Sequence, residues 1–86
     1  MKINKIDLEA LKIIRDNTEK QEYMDLSILE RILFEKIGFE YALQQNIRII
    51  EITRRLSKSG LIEKKGLGNI TIKKGKKFLN QIDMGT

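Results

Sequence analysis

The chain of 86 residues contains no Cys, no His, no Pro and no Trp. Without Cys it cannot form a disulfide framework or a thiolate metal site. Without His it lacks both the commonest metal ligand and the commonest general base, so Ser27, Ser57 and Ser59 have no histidine to activate them. The composition therefore predicts no bound metal, no cofactor and no enzymatic activity.

Long apolar runs are also missing. No stretch approaches the roughly 20 apolar residues that span a bilayer, and the N-terminus has no apolar signal-peptide core. Apolar residues make up 41% and charged residues 34% of the chain, which is typical of a globular protein. We therefore expect one soluble, cytoplasmic domain over residues 1–86. Because its core is small, a partner chain would add to its stability.

Positive charge is concentrated in the second half of the sequence. Residues 1–47 hold seven Lys/Arg against nine Asp/Glu, whereas residues 48–77 hold ten against two. Segregated positive charge attracts polyanions, because cations that neutralise phosphates release condensed counterions. The alternative is a lysine-rich surface that has no partner.

The first helix is predicted over about residues 5–16. Either Asp7 or, if the helix starts earlier, Asn4 is its expected N-cap. Its apolar arc is wider than one core face needs, which favours either deep burial or contact with a second copy of the chain. The arc contains Ile3, Ile6, Leu8, Ala10, Leu11, Ile13 and Ile14.

A second helix is predicted over about residues 27–37, after a polar connection with a short extended piece at 23–26. In "SILE", the Ser27 hydroxyl and the Glu30 carboxylate have the spacing of a capping box. Gly38 either ends this helix or interrupts it, and the sequence leaves both possibilities open.

A third helix is predicted over about residues 46–59, with Asn46 as its cap and Gly60 as its left-handed terminator. Ile49, Ile52 and Leu56 share one face of this helix. The opposite face carries cationic and hydrogen-bonding side chains: Gln44, Arg48, Glu51, Arg55 and Lys58, with Arg54 at its margin.

After Gly60 the pattern changes from helical to alternating. "LIEKK" and "NITIKK" are β-prone runs joined through "GLGN", which predicts a hairpin over about residues 61–73. A short fourth helix is predicted over about residues 74–82. The fold class expected from this order is α+β, mostly α: a three-helix core, a two-stranded hairpin and a short C-terminal helix.

This layout, and "RRLSKSGLIEKKGLGNITIKKGKKFL" in particular, resembles the winged helix-turn-helix family. In that family Leu is followed four residues later by Gly-Leu-Ile, and then by a hairpin strand ending in Thr-x-x-x-Gly-x-x-x-Leu. The matching positions are Leu56, Gly60, Leu61, Ile62, Thr71, Gly75 and Leu79. "YALQQNIRIIEITRRL" is similar to the recognition helix of small archaeal transcription regulators and chromatin-associated proteins.

The resemblance implies binding to double-stranded DNA, with the third helix in the major groove and the hairpin, or wing, on the backbone or minor groove. We expect a sequence-preferring transcription regulator acting as a homodimer through the first helix, the C-terminal segment or both. Arg48, Arg54 and Arg55 are expected to contact bases or phosphates, and Glu51 to accept from cytosine or orient a neighbouring arginine. The remaining expected DNA contacts are Gln44, Gln45, Asn46, Lys58, Lys64, Lys65 and Asn69.

Three other functions stay open. The wide apolar arc of the first helix would suit a winged-helix module that binds another protein. A chromatin-type protein would bind DNA without sequence preference. RNA binding is less favoured, since the basic segment contains no aromatic residue on which a base could stack.

Overall fold

The computed structural model describes the backbone of residues 4–18, 24–65, 68–71 and 73–85, and the side chains of 4–17, 24–63 and 75–81. These ranges are mostly helical, so the coarse prediction of an α+β, mainly α fold is confirmed. In chain order the elements are α1 (Lys5–Thr18), β1 (Met24–Asp25), α2 (Leu26–Ile37), α3 (Phe39–Gln44), α4 (Ile49–Lys58), β2 (Ile62–Lys65), β3 (Gly68–Thr71) and α5 (Lys73–Gly85).

The three strands form one antiparallel sheet in the order β1-β3-β2. In the β2–β3 pair Ile62 lies opposite Thr71, and Lys65 lies opposite Gly68. β1 pairs with the other edge of β3, where Met24 lies opposite Asn69. Of the connection predicted at 66–69, residues 68–69 belong to β3, while residues 66–67 lie outside the described residues. Residue 23 of the predicted extended piece also lies outside them.

α1 lies at the centre of the core, where it contacts α2, α4, α5 and β3. Ala10, Leu11 and Ile14 of its apolar arc are completely buried, and Ile13 is nearly so. Most of the wide arc of the first helix is therefore buried within the domain, whereas Ile6 and Leu8 are only partly buried and Ile3 lies outside the described residues. The fully or almost fully buried side chains that pack in this core also include Met24, Leu29, Leu33, Ile52, Leu56, Leu61 and Leu79.

Asn4, not Asp7, caps the N-terminus of α1. The Asp7 backbone N–H donates to Asn4 Oδ1 at 2.7 Å, and the Leu8 N–H donates to the Asn4 carbonyl at 2.9 Å. The first bond satisfies an amide that the first turn of a helix would otherwise leave without a partner, and the second is the first regular hydrogen bond of α1. The Asp7 carboxylate is therefore available for a different contact.

The capping box predicted at Ser27 and Glu30 is wrong. β1 runs directly into α2, so Asp25 is the N-cap residue and Ser27 lies inside the first turn. Asp25 has extended φ and ψ and makes no side-chain cap hydrogen bond. Both Ser27 and Glu30 are exposed, and the helix is held by burial of Leu29 and Leu33.

Gly38 ends α2 and leads into a separate helix, α3, that the sequence analysis missed. Gly38 has φ +98°, and its N–H donates to the Phe34 carbonyl at 2.8 Å. A φ in this range is easy for Gly and strained for other residues. The chain therefore turns sharply at Gly38 before α3 begins at Phe39.

Asn46 terminates α3, so its predicted role as the cap of the next helix is wrong. It has φ +51°, and its N–H donates to the Leu43 carbonyl at 3.2 Å. The next N–H, of Ile47, donates to the Ala42 carbonyl at 3.0 Å. This bonding pattern is the Schellman motif, and Asn is one of the few residues other than Gly that accept its left-handed position.

As a consequence α4 begins at Ile49 instead of Asn46, with Arg48 as its N-cap residue. It ends with the same motif, now at Gly60, which has φ +76° as predicted. The Gly60 N–H donates to Ser57 and the Leu61 N–H donates to Leu56, both at 3.0 Å. This turn carries the chain from α4 directly into β2.

α5 is longer than the helix predicted over about residues 74–82. Leu79 on this helix is fully buried and Phe78 packs against the core, so α5 closes the domain beside α1. Among the helices described, none has the length and apolar character needed to cross a membrane.

Candidate nucleic-acid interface

α4 has one face in the core and one face in solvent. Ile49, Ile52 and Leu56 are buried, which matches the face predicted from their spacing, and Thr53 is buried beside them. The Thr53 hydroxyl donates to the Ile50 carbonyl at 3.2 Å, so its burial leaves no unpaired donor. The core therefore fixes the rotation of α4, and with it the side of the helix from which each exposed side chain leaves.

The exposed face of α4 is cationic. At about 100° per residue, Glu51, Arg54 and Lys58 lie opposite the buried stripe, at the centre of the exposed face. All three side chains are exposed. Ile50, which is 47% exposed, lies on one flank of this face and Arg55 lies on the other.

Arg55 on that flank is joined to α1 by a bidentate ion pair with Asp7. Its Nε donates to Asp7 Oδ2 at 2.8 Å, and its Nη2 donates to Asp7 Oδ1 at 2.9 Å. The Asp7 side chain is only 5% exposed, whereas that of Arg55 is 52% exposed. The pair therefore joins the first turn of α1 to the last turn of α4, with the carboxylate inside and the guanidinium at the surface.

Hydrogen bonding to Asp7 raises the pKa of Arg55 above its ordinary value, with smaller contributions from the charges of Asp7 and Glu51, while partial burial opposes the rise. Glu51 was predicted to orient a neighbouring arginine, but both hydrogen bonds of Arg55 described above go to Asp7. A charge-assisted bidentate pair of this geometry fixes both position and direction. Arg55 is therefore a fixed cation.

Replacing Arg55 by Ala is expected to lower the free energy of unfolding by about 1–3 kcal/mol, because it leaves the Asp7 carboxylate buried and unpaired. Arg54→Ala on the same turn removes the same charge from an exposed position. It is expected to lower the free energy of unfolding by less than about 0.5 kcal/mol. Urea denaturation of the two variants measures the difference. Equal stability would contradict a structural role for the pair.

A cleft of about 300 Å³ opens beside the N-terminus of α4, between α1 and the α3–α4 turn. It brings together many of the polar residues predicted from the sequence, together with Tyr41 and Asn4, which were not predicted. Gln44, at the end of α3, is exposed but does not line this cleft. The predicted residues that do line it are Gln45, Asn46, Arg48, Glu51 and Arg55.

The predicted contacts of the hairpin are described only by their backbone. Lys64 pairs with Asn69, and Lys65 pairs with Gly68, so all three predicted residues lie at the end of the hairpin away from α4. The side chains of Lys64, Lys65 and Asn69 lie outside the described residues. Their expected contacts to DNA stay predictions.

The sequence analysis missed Asp7 as part of this surface because its partner lies 48 positions further along the chain. An acidic residue near a helix N-terminus is read locally as a cap or as complementary to the helix dipole. One signal was present: Asp7 falls beside the apolar stripe of α1, where a carboxylate requires a partner.

Within the described part of the chain, no group of three or more acidic side chains is placed to hold a metal ion. Comparison with protein-family models, with curated proteins and with solved structures finds no match to this chain. The function proposed for this chain therefore follows from its own geometry and charge.

Proposed function

We propose that this chain is a cytoplasmic, sequence-preferring DNA-binding protein of the winged helix-turn-helix type, acting as a transcription regulator. The observation that carries the proposal is the division of α4 into a buried stripe and an exposed cationic face. A helix anchored in this way can enter the major groove and present its outer side chains to base edges.

The surroundings of α4 support the same proposal. Only the four residues 45–48 separate α3 from α4, and two helices joined by a turn this short are typical of a helix-turn-helix. The paired strands β2 and β3 follow α4 directly and would form the wing. In this proposal Lys64, Lys65 and Asn69 hold the DNA backbone while α4 reads the groove.

We assign base reading to the centre of the exposed face and phosphate contacts to its ends. Arg54 has the planar fork that matches guanine O6 and N7, and Lys58 supplies a mobile point charge. Gln45, Asn46 and Arg48, at the N-terminal end of α4, would hold the backbone.

The proposed homodimer would not use the buried arc of α1. Ala10, Leu11 and Ile14 have no exposed surface to offer a second copy. Among the side chains that the structure describes, the exposed large apolar ones lie on other helices: Phe39, Tyr41 and Leu43 on α3, Ile50 on α4 and Ile28 on α2. Sedimentation over a range of concentrations tests the dimer, and a mass that stays at one chain would contradict it.

A second candidate is a protein-interaction module, and the apolar side chains of α3 favour it. Leu43 is 77% exposed and Phe39 is 53% exposed, which is unusual for side chains of this size in an isolated domain. This surface and the cationic face of α4 can coexist, so a regulator that also binds a protein satisfies both observations.

Selection of binding sites from random duplex DNA tests the proposed function. We expect enrichment of a short motif, repeated with the spacing of one helical turn if the protein binds as a dimer. Binding to all duplexes with no enriched motif would favour the chromatin-type alternative. The absence of any duplex binding would overturn the proposal and leave the protein-interaction module.

A further inference from the structure

The proposed DNA contacts leave Asp7 without a role, although its carboxylate is in direct contact with Arg55 on the flank of the cationic face. Both of its oxygens accept from Arg55, and its own N–H is held by Asn4. Asp7 lies on α1, the helix around which the core is built. It is therefore a rigid anchor for a side chain that reaches the surface.

The ion pair leaves Arg55 with donors to spare. Asp7 accepts from the single N–H of Nε and from one of the two N–H groups of Nη2. The second N–H of Nη2 and both N–H groups of Nη1 remain for another acceptor. In the planar fork these remaining groups point away from the carboxylate. Half of the side chain is exposed, on the flank of α4 that borders the cleft.

We propose that Asp7 is a positioning residue for DNA binding, which holds Arg55 so that its outer N–H groups meet one backbone phosphate and set the register of α4 in the groove. The inference rests on the proposed function and deepens it. Groups held in the productive geometry before binding lose less freedom on association, and a phosphate contact of fixed direction aligns the base-reading side chains beside it. Arg54 and Lys58 then read the groove from a defined position.

If only the overall charge of the protein mattered, removal of the Asp7 carboxylate would have the opposite effect on DNA affinity. Removing a carboxylate near a polyanion makes the protein more positive, and this change should strengthen DNA binding. The positioning role predicts weaker binding instead, since the freed Arg55 would sample many directions. The sign of the effect therefore separates the two explanations.

The experiment compares Asp7→Asn with Glu9→Gln, using the selected duplex and a random duplex at one salt concentration. Both substitutions convert a carboxylate on α1 to its amide, but the partners of Glu9 among the described residues are the surface lysines Lys12 and Lys36. We expect Asp7→Asn to lower affinity for the selected duplex by about 10-fold or more, and affinity for the random duplex by less. Glu9→Gln should leave both affinities unchanged or slightly higher.

Arg55→Lys supplies a second, independent variant. It keeps the positive charge and can pair with Asp7, but it lacks the fork that both fixes the side chain and leaves outward donors. We expect the same selective loss for the selected duplex. Thermal unfolding in the binding buffer confirms that each variant is folded at the temperature of the measurement.

Unchanged or tighter binding by Asp7→Asn, or an equal loss for both duplexes, would overturn the positioning role. If the ion pair only stabilised the fold, the affinity for both duplexes would fall equally, because partial unfolding removes binding to any duplex. Failure of the unmodified protein to bind any duplex is a distinct result that overturns the proposed function itself.

Discussion

Replacing Arg54 and Lys58 together by Ala is expected to lower the affinity for the selected DNA duplex by about 30- to 700-fold. Loss of the bidentate contact that Arg54 makes to a base costs about 1–3 kcal/mol. Loss of the hydrogen bond that Lys58 makes in the groove adds about 1 kcal/mol. Both side chains are exposed on the centre of the α4 face, so the fold should be unaffected. Fluorescence anisotropy measures the affinity, and circular dichroism checks the fold.

The matched control removes the same two charges from α2 by changing Arg31 and Lys36 to Ala. Both side chains are exposed and neither lies on α4. If the position of the charges on α4 matters, the affinity of this control for DNA should fall only a few-fold, as expected from its lower net charge. Equal losses in the two double variants would mean that the total charge, and not the α4 face, determines binding.

Leu33→Ala is expected to lower the free energy of unfolding by about 2–5 kcal/mol. Leu33 is completely buried in α2, and its truncation loses both hydrophobic transfer energy and packing around the resulting cavity. The total stability of a domain of this size is of the order of 4–13 kcal/mol, so the variant should be strongly destabilised. The midpoint of urea denaturation measures the effect.

Leu43→Ala is the control for Leu33→Ala, because it makes the same chemical change at a side chain that is 77% exposed. It is expected to change stability by less than about 0.5 kcal/mol. A large loss at Leu43 in the monomer would contradict the packing described here. A loss that appears only at concentrations where the protein self-associates would instead place α3 in a dimer interface.

The sequence predicted the buried face of α4 well, for a physical reason. Helical spacing is a local property, so Ile49, Ile52 and Leu56 had to share a face whatever surrounded them. The sequence was wrong about the exposed face, because it put Arg55 within that face and Arg54 at its margin, whereas Arg54 lies at the centre and Arg55 on a flank. Gly60 was also predictable, since a left-handed residue after a helix is nearly always Gly. The wide arc of α1 signalled deep burial for the same reason, although the sequence left a second copy of the chain as an alternative.

The start of α4 was not predictable in the same way. Asn favours both the N-cap of one helix and the left-handed end of another, and the local sequence around Asn46 fits both roles. In the structure Asn46 takes the second role, because Gly38 ends α2 early enough for α3 to form between α2 and α4. The sequence analysis had left open whether Gly38 ends the helix, so the boundary that followed from it was wrong.

The ion pair between Asp7 and Arg55 shows why the candidate site was only partly predictable. Each residue has a plausible local interpretation, one as a helix cap and the other as a DNA contact. The contact between Asp7 and Arg55 depends on how α1 packs against α4, and no local sequence pattern encodes that packing. The prediction for Arg55 was therefore incomplete: the structure gives it a protein partner, and its contact with DNA stays a prediction.

The salt dependence of duplex binding tests the central claim most directly. With about three to five phosphate contacts per chain from α4 and the hairpin lysines, the logarithm of the binding constant should fall against the logarithm of salt concentration with a slope of about −3 to −4.5 for each chain bound, and about twice that for a dimer. The slope should become less negative by about one unit for each cation removed from the α4 face. Affinity that hardly changes between low and high salt would contradict the assignment of this face to DNA.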